Sequence, residues 1–463
     1  MTHDLVVRNG TVVGPETGTY RADVAASDER ISAVANPGSL RGDQVIDADG
    51  KHVLPGVIDP HTHHGIARSL AADAESESRS DLVGGVTTVG NFFRRGDPYL
   101  EVMDEYVRAG EANYYHDYFF SLGLLSSTHL QELPRIVSDL GITSFKWYGN
   151  YKGVAAEKFG VDRNLTDDYA DEMIRRLADM DAPTTLGYHS ENVEITRARE
   201  RAVREAGTTG HEALTEAFPA RAEAQSLSAA ASLADQHGYA ENLYAVHVSS
   251  AAGADELARL QDSGVPVTGE TCIHYLLLGG AKKTDAMRVN PPIRTAADEA
   301  TLWERVADGT IDCIGTDHCC KPDESKRGDT IWDISPAFPG SPVLLPAVLT
   351  RGVREGRIDL QRAVEVTSTG TAKAWNLYPR KGTIRVGADA DLVVVDLDSS
   401  RTVTPEFLRG AAGYSPYEGM ELFGWPTHTV VRGTVAYENG EVVGDRGDGT
   451  HVDRPVATDA GPR

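Results

Sequence analysis

Val57-Ile58-Asp59-Pro60-His61-Thr62-His63 decides the fold. The run starts as a short apolar strand and ends on two imidazoles, and that form returns along the middle of the chain. Further short apolar runs occupy residues 86–89, 118–122, 142–146, 184–188, 243–247, 265–268 and 313–316. Amphipathic stretches such as 168–178 and 255–261 separate them. Strand then helix, eight times over, is the sequence form of a closed parallel (β/α)8 TIM barrel. An open doubly wound sheet is the alternative, but no Gly-x-Gly-x-x-Gly follows any of these strands.

Outside residues 55–377 the texture changes. Strand-like runs at 4–8, 10–13 and 30–34 open the chain, and similar runs at 382–386, 391–395 and 429–432 follow the barrel. Each is rich in β-branched residues and bounded by Gly, Asp or Asn. Neither end carries enough apolar surface to stand alone. Pairing residues 1–54 with 378–442 in one small β-sandwich domain solves that problem, giving an α/β chain of two domains. Residues 443–463 are rich in Gly, Asp and Pro without periodicity, which predicts a flexible tail.

The chain carries 45 basic against 69 acidic residues, a formal charge of −24. Phosphate binding needs clustered Lys and Arg, so the balance argues against nucleic acid. The acids are scattered rather than gathered in runs, which suits a strongly hydrated surface and a halophilic source better than an acidic docking patch. No basic-then-apolar leader and no apolar stretch near membrane-spanning length is present, so a soluble cytoplasmic protein with no membrane partner is expected. The four cysteines, Cys272, Cys313, Cys319 and Cys320, lack metal-site spacing and read as reduced thiols.

Chemistry gathers at the strand ends. His61 and His63 close the first strand, Lys146 the fourth, His189 the fifth, His247 the sixth and Asp317 the eighth. In a barrel these ends face one opening, where catalytic side chains converge. His61 and His63, two apart on extended chain, point to one face and can share a cation; His64 must point elsewhere and reads as structural. Lys146 alone would be read as a buried ion pair. Beside two cations, its amine can instead take up carbon dioxide as a carbamate, an anion able to bridge both metals. His189 and His247 supply nitrogen ligands for a second ion, zinc suiting neutral imidazole. Asp317 is placed to bind one metal and to move the proton of an activated water.

Taken together, these segments resemble the cyclic amidohydrolases: hydantoinase, dihydropyrimidinase, allantoinase and dihydroorotase. The match rests on Val57-Ile58-Asp59-Pro60-His61-Thr62-His63, Ser144-Phe145-Lys146, Tyr188-His189-Ser190-Glu191-Asn192, Val246-His247-Val248-Ser249-Ser250, Gly269-Glu270-Thr271-Cys272 and Thr316-Asp317-His318. It runs from about residue 4 to 442. It implies two divalent metal ions, zinc, bridged by N6-carboxylysine at Lys146 and held by His61, His63, His189, His247 and Asp317. It also implies a small cyclic amide substrate opened by a metal-bridging hydroxide, and a homo-oligomer, often a tetramer.

Within the group the chain is most similar to the hydantoinase and dihydropyrimidinase branch. Tyr151 matches a tyrosine that contacts the substrate carbonyl there, a sensible donor to developing oxyanion charge. Asn290, before Pro291-Pro292, matches a backbone substrate contact, and Ser335 to Ser341 a substrate-facing loop. Allantoinase is the alternative, because Glu270-Thr271-Cys272-Ile273-His274-Tyr275 is close to its version of that motif. Dihydroorotase fits less well: that branch places an arginine two residues after the second histidine, and Gly65 stands here. A non-catalytic dihydropyrimidinase-like scaffold would have lost metal ligands, and a mononuclear deaminase would lack Lys146.

Overall fold

The computed structural model describes residues 2–454. Eight parallel strands form the barrel, numbered here β1 to β8: Val57–Thr62, Val86–Phe93, Asp117–Gly123, Ser144–Trp147, Thr185–Tyr188, Leu243–Ala245, Thr268–Cys272 and Cys313–Gly315. They pair in sequence order from β1 to β8. Backbone bonds just beyond the strand ends close the ring, with His318 N–H donating to His61 O (3.1 Å) and His63 N–H to His318 O (2.7 Å). Ile58, Phe92, Phe119, Tyr244 and Cys313 fill the interior around Trp375. The Phe92 ring lies 5.7 Å from Trp375 and 4.4 Å from His61. An apolar floor therefore sits directly beneath the polar rim.

The seventh strand is displaced from its expected place. The β-branched run at 265–268 pointed to a strand there, whereas β7 spans Thr268–Cys272. Its buried side chains include Glu270, which serves the site, and Thr271, whose hydroxyl donates to Val248 O, so the strand carries little apolar signal. The helix after β1, Leu70–Val83, reverses the usual pattern as well. Ser69 caps it, and Asp73, Glu77 and Asp81, spaced by four, are buried against the barrel. Asp73 accepts from Gly65 N–H (2.8 Å), Glu77 meets His318 (3.2 Å) and Asp81 meets His116 (3.0 Å). Burial works against charge on His318, but Glu77 more than offsets it and raises the imidazole to about 9.

Both ends of the chain share one nine-stranded sheet. The strand His3–Gly14 forks, its first half beside Gly42–Asp47 and its second beside His52–Pro55. The strand His52–Pro55 in turn pairs with Leu392–Val395, Leu54 opposite Val393. Leu5, Val7, Ile46, Val53, Leu392, Val394 and Val430 form the sheet's own apolar core. A buried ion cluster joins this sheet to the base of the barrel. Lys381 Nζ lies 2.6 Å from Asp117 at the start of β3, 2.6 Å from Asp391 and 3.1 Å from Asp389. Arg432 also pairs with Asp117.

The expected flexible tail is corrected for its described part. Residues 443–454 pack along the barrel: Tyr118 N–H donates to Thr450 O (3.1 Å) and Val452 N–H to Tyr118 O (2.8 Å). Arg454 is buried, with its guanidinium 2.7 Å from Ser144 Oγ. Hydrogen bonds of this kind need no hydrophobic periodicity, which is why composition misled. Residues 455–463 of that expectation lie outside the described residues. All four cysteines are free and buried. No helix among the described residues is long and apolar enough to cross a membrane.

Candidate active site at the barrel rim

His61, His63, Lys146, His189, His247 and Asp317 line one cleft, together with Tyr151 and Asn290. The fold thus brings all eight sequence-selected residues to one mouth. Around Asp317 the donors are tightest: His61 Nε2 lies 3.2 Å and His63 Nε2 3.0 Å from Asp317 Oδ1. The far side of each ring is already committed. His61 Nδ1 is 2.7 Å from Glu270 Oε1, and His63 Nδ1 is 3.2 Å from the Phe92 carbonyl. Carboxylates and carbonyls only accept, so each Nδ1 carries the hydrogen. In a neutral ring Nε2 then offers a lone pair. Burial favours that form, lowering His63 to about 4.

Two lone pairs therefore face a carboxylate oxygen that has only lone pairs to offer. A cation resolves this arrangement. Separations near 3 Å also suit donors that share one ion at bond lengths of about 2 Å. The residues present fit a metal.

A second donor group adjoins the first. The His189 and His247 rings are 4.5 Å apart, and His247 stacks 5.4 Å from His61. His189 Nε2 donates to Glu191 (3.1 Å), leaving Nδ1 as its free nitrogen. Glu191 is fixed in turn by Thr196 (2.8 Å) and the Asn290 amide (3.3 Å). Burial pushes His247 well below its ordinary range and keeps it neutral. Lys146 is 1% exposed, and its Nζ has no hydrogen-bond partner among the described residues. It rests 4.4 Å over the Phe92 ring, and burial lowers its ammonium to about 7. A neutral amine, the form that adds to carbon dioxide, is thus accessible near neutral pH.

The backbone is strained at two of these positions. His247 (φ 40°) and Asp317 (φ 52°) follow β6 and β8 in the left-handed region. Such residues cost on the order of 1–3 kcal/mol each and persist only where their surroundings hold them. For His247 the holder is Glu270, which accepts its N–H at 2.9 Å. Glu270 also accepts from the Tyr244 hydroxyl (2.9 Å) and orients His61, so one buried carboxylate aims two rings.

Glu270 and Glu191 were quoted within motifs without any role; their signal was an acid at the end of a strand whose neighbours bear histidines. Arg94 and Lys321 also line the cleft and were not singled out. Both directly follow a barrel strand or its ligand loop, where the strand-end rule would have found them. His64 is structural as read, its Nδ1 2.8 Å from the Tyr114 hydroxyl. Arg68, the arginine three residues beyond Gly65, turns away to Asp73 (3.3 Å) and does not stand in for the one that dihydroorotases place after the second histidine. From the loop 335–341, Pro336 and Ala337 reach the cleft.

The model of the amidohydrolase family matches residues 52–436. A D-hydantoinase from Geobacillus stearothermophilus is 31% identical over 97% of this chain and 96% of its own length. An L-hydantoinase from Paenarthrobacter aurescens is 31% identical over 97% and 98%. Among solved structures, the dihydropyrimidinase from Brevibacillus agri superposes with a TM-score of 0.88 at 29% identity, covering 99% of both chains. Full-length likeness and a metal-competent rim lead to one conclusion: the chain belongs to the amidohydrolase family, as a hydantoinase-like cyclic amidohydrolase.

Proposed function

We propose that the enzyme hydrolyses the ring amide of hydantoin- or dihydropyrimidine-like substrates with two zinc ions bridged by a carbamate on Lys146. The observation that carries it is the convergence of His61, His63 and Asp317, acceptors all, beside an unpartnered buried amine. His61, His63 and Asp317 would hold one ion and His189 and His247 the other, with carboxylated Lys146 shared. When bound, the ions supply an acidified water and a polarised carbonyl.

The chain's own groups then divide the work. Asp317 takes the proton of the attacking water and returns it to the leaving ring nitrogen. The Tyr151 phenol donates to the carbonyl oxygen as charge develops there. Glu270 and Glu191 keep the rings of His61 and His189 aimed, and the apolar floor under Lys146 excludes water. Full-length likeness to D- and L-hydantoinases supports the substrate class. The test is a panel of hydantoin, dihydrouracil, allantoin and dihydroorotate with metal supplied, alongside metal analysis. Opening of the first two, with close to two ions per chain, is expected. Failure to open any ring, or one ion or none after careful preparation, overturns the reading.

A further inference from the structure

The chain as a whole is acidic, with a formal charge of −24, yet the wall of its active-site cleft is basic. Arg94 and Lys321 line it, Lys146 aside because its amine is read as carboxylated, and Asp317 is the sole Asp or Glu among the described residues lining it. Arg94 stands immediately after β2, at the rim. Its guanidinium lies 5.4 Å over the Tyr148 ring and 5.7 Å over that of Tyr151. The adjacent Arg95 goes the other way, onto Phe93 and Tyr106. Arg94 is thus stacked in place beside the phenol assigned to the substrate carbonyl. Arg94 has no carboxylate within ion-pair distance among the described residues; the groups that feel it are Tyr148, Tyr151, Cys319, His63 and Lys146. Lys321, four residues beyond Asp317, likewise has no carboxylate within ion-pair distance among the described residues. Lys381, at the base of the barrel, shows the opposite arrangement, meeting three aspartates.

Two unpaired cations beside a site suited to divalent metal raise the local potential, a cost that an incoming anion would offset. A guanidinium presents its N–H groups as a planar fork that matches a carboxylate with two parallel hydrogen bonds. We propose that the cleft selects cyclic amides bearing a carboxylate on the ring substituent, bound by Arg94 with Lys321 as the second positive charge. This rests on the reading of the enzyme as a cyclic amide hydrolase.

The test compares hydantoin-5-acetic and hydantoin-5-propionic acids with their primary amides, which match them in shape but lack the charge. For the metal-loaded wild-type enzyme, kcat/KM should favour at least one acid over its amide by roughly 10- to 100-fold. Arg94→Gln should reduce that ratio to near one, through KM more than kcat, and Lys321→Gln should reduce it by a smaller factor. An acid-to-amide ratio of one or below in the wild type overturns the proposal. So does a ratio unchanged in both variants, each checked for wild-type metal content and thermal unfolding. Ready opening of the amides without preference for the acids sinks this inference alone. If no ring is opened by the metal-loaded enzyme, the hydrolase reading fails and this one falls with it.

Discussion

Lys146 and Lys381 are both 1% exposed, and they occupy opposite ends of the same barrel. At the base, Lys381 is surrounded by Asp117, Asp389 and Asp391 at 2.6 to 3.1 Å. At the rim, Lys146 has an aromatic face beneath it and no hydrogen-bond partner. Burying an ammonium is costly unless it is paired, so the two ends have met the same penalty differently. The base neutralises its charge with carboxylates and thereby joins barrel to sheet. The rim leaves the cost standing and favours loss of the proton instead. A buried lysine without partners marks the reactive end; a buried lysine with three marks a joint.

Exchanging the lysines for inert residues tests this contrast. Lys146→Ala should remove at least one metal ion per chain and lower kcat about a thousandfold or more, because metal activation is worth several kcal/mol. Short-chain carboxylic acids should partly restore activity by standing in for the carbamate. Unchanged metal content in this variant would erase the distinction between the two lysines. Lys381→Met should do the reverse, costing about 3 kcal/mol in denaturant unfolding, with metal content per folded chain unaltered. It leaves buried Asp391 without a cation and takes one from Asp117 and Asp389, which keep Arg432 and the Arg30–Arg380 pair respectively.

Glu270→Gln sharpens the rim half of the comparison. It keeps the shape but weakens the aim of His61 and His247, so metal affinity should fall about 10- to 100-fold in titrations. The smallest effect is one of pH. Burial sets the Lys146 ammonium at about 7 in the folded protein, against 10.5 for an ordinary lysine. Between those values the unfolded chain holds a proton that the folded chain lacks, so stability should rise with pH across that window. Metal-stripped wild type, unfolded by denaturant at a series of pH values, should show this rise more steeply than metal-stripped Lys146→Met. Parallel profiles would mean that Lys146 is paired after all.

Much of this was legible in the sequence. The strand ends at His61, His63, Lys146, His189, His247 and Asp317 could be read because a barrel brings every strand terminus to one mouth, whatever the spacing along the chain. What stayed hidden was the polar scaffolding. Strand β7 lacks an apolar alternation because Glu270 points inward to serve the rings. The helix Leu70–Val83 buries acids where an amphipathic pattern would place leucines, since its partners are His318, His116 and the Gly65 backbone. Residues 443–454 dock through backbone bonds, Arg454 and the single buried apolar side chain Val452, too little to leave a hydrophobic pattern. Lys381 could not be separated from Lys146 by sequence alone, because Asp117 lies far from it along the chain.

The pairing of Leu54 with Val393 has a consequence for biosynthesis. The opening strands emerge from the ribosome early, but the strand that covers their open edge is made more than three hundred residues later. At about 5–20 residues per second that interval lasts roughly 15 to 70 s. Throughout it, an unpaired and partly apolar edge is available to any neighbouring nascent chain. Yield in a foreign host should therefore depend on translation speed and holdase chaperones more than on the stability of the finished enzyme.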